Sequence, residues 1–177
     1  MPPPRRADAA RNRDKILAAA RAAFADPEAD VSMAEISRRA GVGMATLYRN
    51  FPGRRELLEA LYTDEVDAIC AAAEVPGTTF LAWLRRFHAF STSKRHIAAE
   101  LLTHVEGDSP VFDTNRSRVL AAGRPLLAAA QDAGAIRPGL TLEQILDLVI
   151  AIARIHGDAG YVEPILDAAL AGLRPGA

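Results

Sequence analysis

Cysteine occurs once in the 177 residues, at Cys70, so no disulfide can close within the chain and the composition suits a reducing cytoplasm. Tryptophan also occurs once, and the alternation of β-branched and polar residues that marks strands is almost absent, which excludes a sheet-based fold and leaves helices throughout. No uninterrupted apolar run reaches eighteen residues. The three N-terminal prolines are followed by Arg5 and Arg6 rather than by the apolar core of a signal peptide. These absences predict a cytoplasmic protein with no membrane partner. No Ser-His-Asp order, phosphate loop or paired-carboxylate motif is visible, so the expectation is a protein that is not an enzyme and needs no cofactor.

Half of the residues are hydrophobic, with alanine abundant, which is enough for one or two small all-α domains with a real core. The net charge of −1 conceals an asymmetry: residues 1–60 hold 11 Lys+Arg against 8 Asp+Glu, a balance of +3, and residues 61–177 hold 10 against 14, a balance of −4. A basic end joined to a neutral-to-acidic body fits a protein that meets nucleic acid at one end.

The stretch Ser32 to Phe51, SMAEISRRAGVGMATLYRNF, states the chemistry of that end. Ser32 is a good N-cap with Glu35 at N3 to complete a capping box, and Val31 and Ile36 can pack as a hydrophobic staple. A helix from Met33 would bury Ile36 and Ala40, leave Arg38 and Arg39 on a solvated face, and end at Gly41 in a left-handed conformation. Only a tight turn fits between Ala40 and Gly43 before a second short helix, about Met44 to Asn50, anchored by Leu47 and Phe51. Met44, Ala45, Thr46, Tyr48, Arg49 and Asn50 occupy its other face. Small, hydroxyl, aromatic and cationic groups of this kind suit base edges and phosphates, with Met44 limited to apolar contacts such as a thymine methyl. A plain helical hairpin would explain Ser32, Glu35 and Gly41 but not the composition of that outer face.

Around this motif the chain reads as an arm (Pro2–Ala7), a helix from about Asp8 to Ala25 broken by Asp26-Pro27, and a long helix from about Arg54 to Glu74 with a broad apolar face. A ring-rich helix capped by Thr78 or Thr79 follows, carrying Phe80, Trp83, Phe87 and His88, and Ser91-Thr92-Ser93 is expected to loosen the chain after it. Gly107 should stop the next helix and Ser109-Pro110 restart the chain. Gly123 and Pro125 should kink or split the helix that extends to Ala133. A second capping box, Thr141 with Gln144, opens a helix to His156, and a last one spans about Tyr161 to Leu173. Leu142, Ile145, Val149, Ile150 and Ala153, with Ile165, Leu166 and Ala169, give these two helices more apolar surface than one subunit should cover. That predicts a two-fold homodimer built on those eight residues.

His96, Glu100 and His104 recur every four residues and could line one helix face, so the alternative reading is a helical metal-binding protein or metalloenzyme. It lacks support from a second element, and a pocket-lining or hydrogen-bonded role for these residues is the simpler expectation. Cys70 reads as a small core residue.

The first third of the chain closely resembles the TetR family of bacterial transcriptional regulators. The match runs through Ile16, Ala19, Ala20, Phe24, Val31, Met33, Glu35, Ile36, Ala40-Gly41-Val42, Thr46-Leu47-Tyr48, Phe51 and Leu57-Leu58, while Gly43 stands where the family often has a serine cap and Asn50 where it often has histidine. The resemblance implies an N-terminal helix-turn-helix domain over residues 1–53 and a helical ligand-binding and dimerisation domain over 54–177. It implies a repressor that binds double-stranded, near-palindromic operator DNA as a dimer and is released by an unknown small-molecule effector. Thr46, Tyr48 and Arg54 match positions that hold phosphates in the family. Together with Ser32, Met33, Gly43, Met44, Ala45, Arg49 and Asn50 they form the expected DNA surface. The family's cavity in the second domain suggests Ile69, Trp83, Phe87, Leu101 and Phe112 as walls, with His88 and His104 as polar handles.

Overall fold

The computed structural model describes residues 4–24, 31–103 and 110–176, with the side chains at 4–7, 96, 102 and 103 outside that description. The described residues form nine helices and no strand: α1 (Pro4–Ala23), α2 (Met33–Ala40), α3 (Met44–Asn50), α4 (Arg54–Glu74), α5 (Phe80–Ser93), α6 (Arg95–Thr103), α7 (Pro110–Asp132), α8 (Leu142–Ala153) and α9 (Ala159–Ala171). They divide into two compact units, Met1–Asp64 with His96–Asp108, and Glu65–Arg95 with Ser109–Ala177. The helix α4 contributes its first half to one and its second half to the other.

Unit 1 buries Ile16, Ala20, Ile36, Leu47, Phe51, Leu57, Leu58 and Leu61, together with Ile97 and Leu101 of α6. Here α1 packs against both α2 and α3. The helix α1 starts at Pro4 rather than at Asp8, because proline is at home in a first turn where its missing N–H has no acceptor to satisfy. The expected break at Asp26-Pro27 lies outside the described residues, as do Gly107 and Ser109.

In unit 2, α5 packs on α7 and α8, and α8 on α7 and α9. The centre is Trp83, fully buried, its indole N–H donating to the Ile69 carbonyl at 3.1 Å and its ring stacked between Phe80 and Phe87. Against it stands Gly123 of α7, where a Cβ would lie 2.5 Å from Cη2 of the indole and 3.0 Å from Cδ2 of Leu142. Gly123 therefore admits the tryptophan rather than breaking the helix. Pro125 also leaves α7 unbroken; both it and Ala121, whose carbonyl loses its helical donor, are exposed, so water can take that acceptor. The hydroxyls of Ser91, Thr92 and Ser93 likewise do not loosen the chain. They bond back to the carbonyls of Phe87, His88 and Phe90 at 2.9, 3.0 and 3.1 Å, a substitute for solvent that keeps the last turn of α5 helical.

The ends of unit 2 are closed by local chemistry. Thr79 caps α5, and Thr141 with Gln144 forms the full reciprocal box at α8. Asp158, not foreseen as a cap, accepts from the Tyr161 amide at 2.9 Å and moves the start of α9 to Ala159. The chain after α9 is tied back by the Arg137 amide donating to the Leu173 carbonyl at 2.8 Å, with Ile136 and Leu173 both buried.

Candidate nucleic-acid interface

At α2, the Ser32 hydroxyl accepts from the Glu35 amide at 3.1 Å, which is one half of the expected capping box. The other half is replaced. The Glu35 carboxylate is held by Arg38 through two bonds of 2.7 and 2.9 Å and by Arg39 at 2.6 Å, and those guanidinium bonds bring its pKa down to about 2. Arg38 and Arg39 are thus exposed, as expected, but tied to an acid of their own helix.

Gly41 ends α2 at φ 64°, where a side chain would be strained, and its amide reaches the carbonyls of Arg38 and Ser37. The turn is then clamped twice across the same pair of residues. The Val42 amide donates to the Ser37 carbonyl at 3.2 Å, and the buried Ser37 hydroxyl donates to the Val42 carbonyl at 2.6 Å. Ser37 was not foreseen as functional. The signal that could have found it is a hydroxyl beside the buried stripe, four residues before the terminating glycine.

Gly43 caps α3 with backbone alone, its carbonyl accepting from the Thr46 and Leu47 amides at 2.9 and 3.0 Å and no side chain contributing. The helix is fastened inward by Leu47 and Phe51, which are 0% and 1% exposed, while Met44 and Tyr48 are 38% and 46% exposed. A guanidinium from α1, that of Arg13, lies 4.8 Å over the Phe51 ring and braces the end of the motif. The outer face therefore consists of Gly43, Met44, Ala45, Tyr48 and Arg49, with Thr46 and Asn50 half-buried beside it and Ser32 exposed and Met33 half-buried at the start of α2. Arg49 donates to the Thr46 hydroxyl at 2.9 Å and Asn50 to the Thr46 carbonyl at 2.8 Å. Thr46 is the hub of that surface.

The Arg54 guanidinium donates to the Glu100 carboxylate of α6 and to the Val31 carbonyl, and lies 5.2 Å over the Phe24 ring. A cation with a carboxylate, a carbonyl and a ring around it is a tie within unit 1. The same bond places Glu100 in an ion pair rather than at the centre of a metal triad; the His96 side chain and all of His104 lie outside the described residues.

Of the expected ligand walls, Ile69, Trp83 and Phe87 are buried in unit 2, Phe112 is half-buried there, and Leu101 is fully buried in unit 1. Trp83 is thus a packed core residue. Half-buried His88 has an Nε2 that is buried without a hydrogen-bond partner, and desolvation with the nearby Arg85 charge holds its pKa below the usual imidazole range. The residues expected at a dimer face differ in burial. Leu142, Ile145, Val149, Ala153 and Leu166 are buried inside the chain itself, where α8 packs with α5, α7 and α9. Ile150, Ile165 and Ala169 stay half-buried, and Leu148 and Tyr161, which the pattern did not single out, are exposed.

Comparison with known proteins agrees in both parts of the chain. Residues 16–61 match the family model for bacterial regulatory proteins of the tetR family, and residues 75–175 match that for the SbtR-like transcriptional regulator C-terminal domain. A helix-turn-helix-type transcriptional regulator of Mycobacterium bovis is 30% identical over 164 residues, covering 88% of this chain and 85% of the relative. Two crystal structures are similar along their whole length. A TetR transcriptional regulator of Streptomyces coelicolor is 34% identical with a TM-score of 0.76, covering 93% of this chain and 99% of the other, and a TetR regulatory protein of Mycobacterium vanbaalenii is 31% identical with a TM-score of 0.77, covering 97% and 100%.

Proposed function

Since the chain belongs to the TetR family of transcriptional regulators and carries that family's DNA-binding domain, we propose that it is a dimeric repressor that reads a near-palindromic operator with α3 and leaves it when a small apolar or amphipathic effector binds the body. Residues 1–53 act as the reading head and 54–177 as the effector-binding and dimerisation domain. The observation that carries the DNA reading is the orientation of α3: Leu47 and Phe51 are spent on the core, so Met44, Ala45, Tyr48 and Arg49 face outward on a helix whose start is locked by the Ser37–Val42 clamp. Met44 and Ala45 meet base edges, and Tyr48, Arg49 and Thr46 meet phosphates.

Dimerisation rests on what α8 and α9 leave uncovered. On α9, exposed Tyr161 shares a face with half-buried Ile165 and Ala169, and on α8 Leu148 is exposed and Ile150 half-buried, on different sides of the helix. A two-fold axis there would set two α3 helices about 34–36 Å apart, one turn of DNA. For the effector, the unpaired Nε2 of His88 beside the rings of α5 supports a polar handle, with Ile69, Phe87 and Phe112 as apolar neighbours to be tested. Selection of bound sequences from a random DNA pool is the decisive experiment. An inverted repeat with half-sites one helical turn apart is expected, and enrichment of no motif would remove the reading.

A further inference from the structure

Unit 2 also carries an open cleft of about 740 Å³ that uses none of the residues assigned above. It lies between the start of α5 (Thr79–Leu81), the end of α7 with the turn that follows it (Ala130, Gly134–Ile136) and the C-terminal residues Arg174 and Pro175. That volume is within the range of roughly 300–1,000 Å³ at which small molecules are held. The frame is fixed before anything binds. The amides of Gly134, Ala135 and Ile136 donate to the carbonyls of Gln131 and Ala130 at 2.9 to 3.1 Å, Gly134 takes the left-handed conformation at φ 67°, and the Arg137–Leu173 bond holds the C-terminal segment against this turn.

The chemistry of the lining is uneven. Leu81, Ala135 and Pro175 present carbon, with buried Ile136 beneath them, and Arg174 is the one charged residue of the lining. Elsewhere in unit 2, Arg85, Arg116, Arg118 and Arg124 are each paired with a carboxylate, those of Asp167, Asp147, Asp67 and Glu143, while exposed Arg86, Arg137 and Arg154 have no ion pair among the described residues but do not line the cleft. Arg174 has no carboxylate within ion-pair distance among the described residues and is exposed at the mouth of an apolar cleft. A planar cation with unfilled donors beside an apolar surface complements a molecule with a carboxylate head and a hydrocarbon body.

We propose that this cleft is a second small-molecule site, separate from the effector region at His88, that takes an aliphatic carboxylic acid with its head on Arg174 and its chain against Leu81, Ala135 and Pro175. The test is calorimetric titration of the full-length protein with decanoate below its micellar concentration, compared with decanol. Decanoate should bind and decanol bind distinctly more weakly. Arg174→Gln should lower decanoate affinity about tenfold, the scale of one charge-assisted contact. Ala135→Trp, at an exposed position, should fill the cleft and abolish binding while circular dichroism stays that of the parent. Phe87→Ala and His88→Ala should leave decanoate affinity unchanged. The proposal is overturned if decanoate does not bind, if decanol binds equally well, if Arg174→Gln and folded Ala135→Trp bind like the parent, or if the His88 and Phe87 substitutions abolish binding and so move the acid to the other region.

Discussion

In unit 1 two helices of eight and seven residues are fixed by hydrogen bonds around one left-handed glycine, whereas in unit 2 helices of up to 23 residues meet through a tryptophan set against a glycine. The difference follows from length. Helices as short as α2 and α3 do not sustain themselves in water, so their ends and the turn between them must be held by caps and by the Ser37 clamp. Longer helices tolerate an internal proline, because packing along their length outweighs the local loss. A reading surface gains from the first arrangement: the turn between its two helices is specified within a dozen residues, while α1 supplies the surface on which they rest.

Substitutions at the two kinds of joint separate these cases. The largest expected effect is Trp83→Ala, which empties the centre of unit 2 and should cost about 3–5 kcal/mol in denaturant unfolding; a loss under about 1 kcal/mol would show that the ring is not what holds the layer together. Next, Ser37→Ala leaves the Val42 carbonyl without its buried donor and should cost about 1–3 kcal/mol. Its operator affinity should fall further than that of Trp83→Ala measured on equal amounts of folded protein. Equal losses would erase the distinction between local and distributed support.

A smaller effect is expected at Arg54 and Glu100, whose side chains are about a quarter exposed and therefore partly screened. A double-mutant cycle with Arg54→Met and Glu100→Gln should give a coupling of about 0.5–1 kcal/mol. The slope of DNA affinity against salt should stay unchanged in Arg54→Met, whereas a phosphate contact would reduce it by about one. A reduced slope would place Arg54 on the DNA surface. Smallest of all, Gly43→Ser should add a few tenths of a kcal/mol of stability, since the backbone there is extended, space is open around the Cβ and α3 has no side-chain cap. A destabilised variant would mean that the bare cap is needed.

What could be read from the sequence divides along the same line as the two units. The caps at Ser32, Thr79 and Thr141, the glycine at 41 and the inward pair Leu47 and Phe51 depend on neighbours within four residues, so composition and spacing reveal them. The Arg54–Glu100 tie joins residues 46 positions apart, and nothing local marks either partner. That Leu142, Ile145 and Val149 are covered by their own chain is not legible from α8 alone, because an apolar face at helical spacing does not say which element will meet it. Gly123 and Pro125 looked alike as helix breakers, yet one answers to a ring 40 residues earlier and the other to solvent.

The bond from the Arg137 amide to the Leu173 carbonyl also sets a practical limit at the chain's end. Residues after α9 resemble a tail, but Leu173 is as buried as the core, so trimming by an exopeptidase should slow abruptly there rather than run on into the helix. A fusion partner placed beyond Pro175 leaves this anchor intact. One spliced at Ala171 would remove the residue that seals unit 2 and expose Ile136 to water.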